Sequence, residues 1–171
     1  ILNIIMINKF ESLDLESADD IANKVIEICK INNFKEISVC IVDPMSNIIV
    51  QKKMDKCPTG IYPKFAFSKA FTSSAMMIPS NNFAKKYASE DPKQMFKGLA
   101  MMSVGDGKIG PLPGGVLIKK KGSNEILGSV GVSGASGAED EYCAIMGIKK
   151  SKVSDMVICD PDIHSCNTHI N

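Results

Sequence analysis

An α+β domain, with helices packed on an antiparallel sheet, is the fold class this sequence predicts, and three observations predict it. The apolar positions alternate between a helical period and β-branched runs, in the order helix, strand, strand, helix, short helical segments, strand, strand, helix. The strand runs come in pairs joined by short turns, which makes hairpins rather than the crossovers of a parallel sheet. A chain of 171 residues, 44% hydrophobic and 23% charged, has the length of one domain and the apolar content for one core.

Each element has its own signal. After Leu13-Asp14, the residues Ile21, Val25, Ile28 and Cys29 form one stripe of an amphipathic helix that ends near Asn32-Asn33. Ile37-Ser-Val-Cys-Ile-Val42 is a β-branched run stopped by Asp43-Pro44, and Asn47 to Met54 returns after four residues as its hairpin partner. Pro63 opens a second helix carrying Phe67, Ala70, Phe71, Ser74 and Ala75, and Pro79 bounds it. Ser80-Asn-Asn82 and Asp91-Pro92 read as caps of two short helices. Gly105 to Gly115 is a turn-rich loop. Val116–Ile118 and Ile126–Val132 are strands joined by a turn at Gly122-Ser-Asn124, and Ala138 to Gly147 is the last helix. The division expected is an N-terminal extension over 1–13, a domain over 14–150 and a tail over 151–171 without a clear period.

Composition narrows the partners. The twenty basic residues are all lysine, and arginine and tryptophan are absent. The chain therefore has no planar bidentate clamp, and any bound anion must be met by lysine point charges, hydroxyls or backbone N–H groups. A net charge of +1 without a basic block argues against nucleic acid and against an anionic membrane. The apolar opening Ile1 to Ile7 is too short to span a bilayer and lacks a basic leader region. Six cysteines in a chain of this length do not form a disulfide framework; Cys29, Cys40 and Cys143 read as small buried hydrophobes, and the expected location is the cytoplasm.

The strongest local signal for chemistry is Gly128-Ser-Val-Gly131-Val-Ser133-Gly134-Ala-Ser136-Gly137-Ala-Glu139-Asp140, where a strand turns directly into a helix. First-turn N–H groups at such a place could bind an anion or carbonyl. Equally, the glycines could serve close packing while Glu139 or Asp140 complements the helix dipole. Gly114-Gly115, just ahead of a strand, allow the close approach of a flat ligand or a neighbouring subunit, or simply start a hairpin. The two histidines, His164 and His169, both lie in the tail, so no catalytic set can be assembled in the body of the chain, and the expectation is a binding protein rather than an enzyme. Cys159, His164, Cys166 and His169 match zinc ligands by type but not by spacing, and no metal site is assigned. Cys57, before Pro58, is of the residue type that ligates haem iron, although a plain loop position is the better reading. Met76-Met77 and Met101-Met102 read as core filler.

Taken together, Lys64-Phe-Ala-Phe-Ser-Lys69-Ala70-Phe-Thr72-Ser-Ser-Ala75, Gly105-Asp106 through Pro113-Gly114-Gly115-Val116-Leu-Ile118, and Gly128-Ser-Val-Gly131-Val132-Ser133-Gly134 with Glu139-Asp140-Glu141 resemble the GlcG/HbpS-like family of haem-binding proteins, related to the C-terminal domain of PduO-type corrinoid adenosyltransferases. The resemblance spans about residues 14 to 148. It implies a profilin-like domain in α/β/α layers, assembled as a homo-oligomer. It also implies a ligand cleft surrounded by Lys69, Thr72, Gly114, Gly115, Ser133, Gly134 and Asp140, with haem as the cofactor. The chain departs from the family in having Lys53, Lys69 and Phe71 at places where members tend to carry arginine. The leading expectation is thus an oligomeric protein that binds a small molecule, haem or another tetrapyrrole. The alternatives are an assembly protein without ligand, or an enzyme acting on a small hydroxy acid or a corrinoid.

Overall fold

The computed structural model describes residues 10–58 and 60–166. Helix α1 spans Leu15–Ile31, and the Asp14 side chain caps it by accepting from Ser17 N at 2.7 Å. Strands β1 (Ser38–Val42) and β2 (Ile48–Lys53) pair antiparallel. Their turn is shaped by Asp43, whose Oδ1 accepts from Met45 N and Asn47 N at 2.8 Å each. Helix α2 (Ile61–Met76) is followed by α3 (Ser80–Tyr87) and α4 (Pro92–Val104). Asp91 caps α4 by accepting from Lys93 N, with Pro92 at the first helical position. Strands β3 (Gly115–Lys120) and β4 (Ile126–Ser133) form the second hairpin, and α5 (Gly137–Lys150) starts at a reciprocal capping box between Ser136 and Glu139.

The tail, which shows no clear period in sequence, contributes a fifth strand, β5 (Val157–Asp160), which pairs antiparallel with β3. Four residues are too few to show a period in sequence, yet Val157 and Cys159 turn inward while Ile158 points outward. The sheet order is β2-β1-β4-β3-β5, antiparallel throughout. The chain is a single α+β domain.

Helices cover both faces of this sheet. On one face α1 and α5 pack over Val39, Ile41, Val116, Ile118, Val130 and Val132 to make the main core. On the other, α2 lies on the sheet, with Ala66 and Ala70 against Cys40 and Val42. Strand β1 is buried on both sides, which is why it reads as an unbroken β-branched run rather than an alternation. The approach of α2 is unusually close. Gly131 and Gly115 are cross-strand partners, and a Cβ on Gly131 would sit 2.0 Å from the Ala66 carbonyl oxygen, one on Gly115 2.3 Å from that of Lys69. The backbone that approaches Gly115 is therefore that of the chain's own helix.

Candidate functional site

The close seating of α2 delivers Lys69, 5% exposed, into the interior. Its Nζ donates to the Val132 carbonyl and to Asp140 Oδ2, both at 2.7 Å. Gly114 makes room for this meeting: with φ at +113°, a Cβ there would lie 3.0 Å from Asp140 Cβ and 3.2 Å from Lys69 Cδ. The other carboxylate oxygen of Asp140 accepts from Ala135 N at 3.1 Å. One buried ion pair thus links α2, the end of β4, the turn after it and the first turn of α5. Burial pushes the Asp140 carboxyl up to about 6, against the opposing pull of Lys69 and the Ala135 N–H. Burial likewise lowers Lys69, with the Asp140 charge opposing.

The remaining positions expected at the ligand occupy neighbouring joints. Thr72 Oγ1 donates to Ser68 O at 2.7 Å and accepts from Gly110 N at 2.9 Å, tying the 105–114 loop to α2. Gly115 N donates to Ser80 Oγ, which itself donates to Leu112 O. Ser133 is buried at the end of β4 opposite Ser38. Gly134, φ +147°, passes so near β1 that a Cβ would meet the Glu36 carbonyl at 2.3 Å. Lys69, Gly114 and Asp140 are in mutual contact and Gly115 lies against the Lys69 carbonyl, while Thr72 ties the 105–114 loop to α2 and Ser133 pairs with Ser38.

Beside Gly134 a cleft of about 610 Å³ opens between three chain segments. Phe34, Lys35 and Glu36 line it from the approach to β1, Pro58 and Tyr62 from the start of α2, and Gly134 to Ser136 with Glu139 from the turn into α5. Its volume lies in the range of pockets that enclose small ligands. Phe34, Tyr62 and Lys35 carry no motif, so only the fold brings them together. Of the expected positions, Gly134 lines the cleft and Asp140 steadies its rim through Ala135 N.

Other candidates resolve differently. Cys57 is 3% exposed, and burial raises its thiol. It is thus inside rather than on an open loop. Cys159 and Cys166 belong to the main apolar core, and the His164 ring stands edge-on to Tyr142 with centroids 4.6 Å apart. His169 lies outside the described residues. Among the described residues no group of three or more side chains is arranged to hold a metal ion. Cys29, Cys40, Cys57, Cys143 and Cys159 are free thiols, and no described helix is long and apolar enough to cross a membrane. Met76 and Met101, expected as core filler, instead edge an open, almost wholly apolar groove of about 380 Å³ with Phe96, Val104 and Ile109. Helix α4, which lines it, packs among the described helices and strands only on α3, where Gly98 meets Tyr87.

Fold and cleft define a single-domain α/β/α protein with a small-ligand-sized site at the end of its central strand. Residues 13–149 match the family of haem degrading proteins that are HbpS-like, and the chain belongs to that family. A Klebsiella pneumoniae protein, ORFY, superposes with a TM-score of 0.73 at 19% identity, over 87% of this chain and 95% of its own. The PduOC protein, solved as a haem complex, superposes at 0.69 and 22% identity, over 80% and 93%. HbpS superposes at 0.68 and 27%, over 83% and 92%. No curated protein matches the chain.

Proposed function

We propose that this chain binds haem in the cleft beside Gly134 and works as an assembly of identical subunits. The observation that carries the reading is that cleft, in a chain of the HbpS-like family. Phe34, Pro58, Tyr62 and Ala135 offer apolar contact to one part of a macrocycle, and Lys35 is a cation for a propionate, beside the carboxylates of Glu36 and Glu139. That a structural relative was solved with haem supports the choice of ligand.

In this reading the residues expected around the ligand act mainly from behind it. The Lys69–Asp140 pair fixes the 134–136 turn through Ala135 N, and Gly114 leaves the pair its space. Thr72 and Gly115 with Ser80 hold the preceding loop in place. Ser133 and Gly134 end the strand against β1. Haem, when bound, supplies an iron centre capable of redox chemistry; the protein orients the ring and excludes water from one side. Titrating the protein with hemin tests the proposal. The expected result is a shifted, saturable Soret band at about one equivalent per subunit, and a response no different from nonspecific uptake by albumin overturns it.

A further inference from the structure

Helices α1 and α5 meet backbone to backbone at Gly147, where an added Cβ would lie 2.3 Å from Val25 Cγ2 and 3.0 Å from Val25 N. Cys29 stands one helical turn beyond Val25 and Cys143 one turn before Gly147, so an antiparallel crossing sets the two cysteines side by side. Their thiols are hydrogen-bonded to each other, and both side chains are fully buried in the main core. A disulfide needs Cα atoms within about 7 Å, and a glycine contact one turn away is what brings two helix backbones that near.

The pair also touches the cleft from behind. Cys29 Sγ donates to Lys35 O at 3.3 Å, and Tyr142, next to Cys143, meets the Phe34 ring edge-on with centroids 6.0 Å apart. Phe34, Lys35 and Glu36 form one wall of the cleft beside Gly134. A single buried thiol is inert space-filler, whereas a second thiol in contact gives it a reaction partner. The hydrogen bond from Cys143 lowers the Cys29 thiol, against its burial. Cys29 lies in the last turn of α1, the part of a helix that opens most readily, which gives a small oxidant its access.

We propose that Cys29 and Cys143 are a redox-active pair that closes to a disulfide under hydrogen peroxide, and that closure loosens the 34–36 wall of the cleft, whatever the cleft binds. The Cys29 thiolate attacks one peroxide oxygen and expels hydroxide, leaving a sulfenic acid; the Cys143 sulfur then attacks the Cys29 sulfur and expels a second hydroxide. The two thiol protons convert both hydroxides to water, and two electrons pass from sulfur to peroxide. Bridging removes the S–H that held the Lys35 carbonyl.

Treating the folded full chain with hydrogen peroxide, then unfolding, alkylating and mapping it by mass spectrometry, tests the bridge. Cys29 and Cys143 should lose alkylation and appear in one linked peptide, two hydrogens lighter than the separate peptides, and dithiothreitol should reverse this. Cys40, equally buried on the other face of the sheet and pushed up to about 12 by that burial, should stay alkylatable. In Cys29→Ser, checked for folding by circular dichroism, Cys143 should stay alkylatable at the same dose. Amide hydrogen exchange over residues 33–37 should speed up at least about threefold on oxidation and recover on reduction. Full alkylation of both thiols after peroxide, an overoxidised Cys29 without a linked peptide, or a bridge that forms only in urea overturns the disulfide. A bridge with unchanged exchange over 33–37 overturns its link to the cleft.

Discussion

In a chain without arginine, the buried junction of this fold depends on a single lysine ammonium. Lys69 reaches one carboxylate oxygen and one carbonyl, and the second Asp140 oxygen is left for Ala135 N. A guanidinium fork would claim both carboxylate oxygens and free that N–H. The lysine is therefore compatible with a carboxylate that also shapes the turn. The pH dependence follows from the burial of Asp140. Its pKa of about 6 in the folded chain lies above the ordinary 3.8. Between those values the folded state keeps a proton that the unfolded state has released, so stability from this group is greatest at low pH and is lost as pH rises through about 6. Asp140→Asn removes that titration. Urea unfolding of both proteins should show the wild type's advantage over the variant largest at about pH 4 and shrinking by about pH 7. A constant difference across that range would mean that Asp140 titrates normally in the folded chain.

At the scale of elements, what could be read from the sequence depended on which physical signal each element carries. Helix α1 shows a full apolar stripe, and α4 announces itself by Asp91-Pro92. The hairpins follow from short connections between β-branched runs. Strand β5 is illegible because its identity comes from pairing with β3 rather than from its own four residues. The cleft is illegible for a related reason: Phe34, Pro58, Tyr62 and Gly134 come from separate segments and share no motif. The glycines were visible, but not what approaches them. Gly131→Ala tests the seating of α2, since the added methyl would face the Ala66 carbonyl at 2.0 Å and must push the helix off the sheet. It should cost about 1–3 kcal/mol or more. Gly60→Ala, at a φ of −70° with nothing within 4 Å, should change stability by no more than about 0.5 kcal/mol. Equal thermal midpoints for the two variants would show that α2 shifts freely on the sheet.

On the scale of the whole molecule, α4 is the element that one subunit leaves unfinished. Met95, Phe96, Leu99, Met101, Met102 and Val104 are distributed around the helix, and its charges are only Lys93 and Lys97. Phe96 is 72% exposed and Val104 86%. A helix that is apolar nearly all round is stable when covered, yet here Gly98 is the one α4 residue that is buried. A second copy of the chain, meeting α4 with the same surface, would cover it in the self-complementary way that closed symmetric assemblies use. Its position also matters to the proposed function. The groove on α4 includes Met76 at the end of α2, the helix whose first turn carries Tyr62 beside the cleft, so a contact on α4 bears on the element that also walls the proposed ligand site. Light scattering after size exclusion, at micromolar concentration, is expected to give a multiple of the subunit mass for the wild type. Phe96→Glu combined with Leu99→Glu should reduce that to the subunit mass without changing the circular dichroism, because both side chains already face outward and their replacement leaves the core intact. A wild type that runs as a monomer rejects the assembly, and a variant that stays assembled moves the interface away from α4.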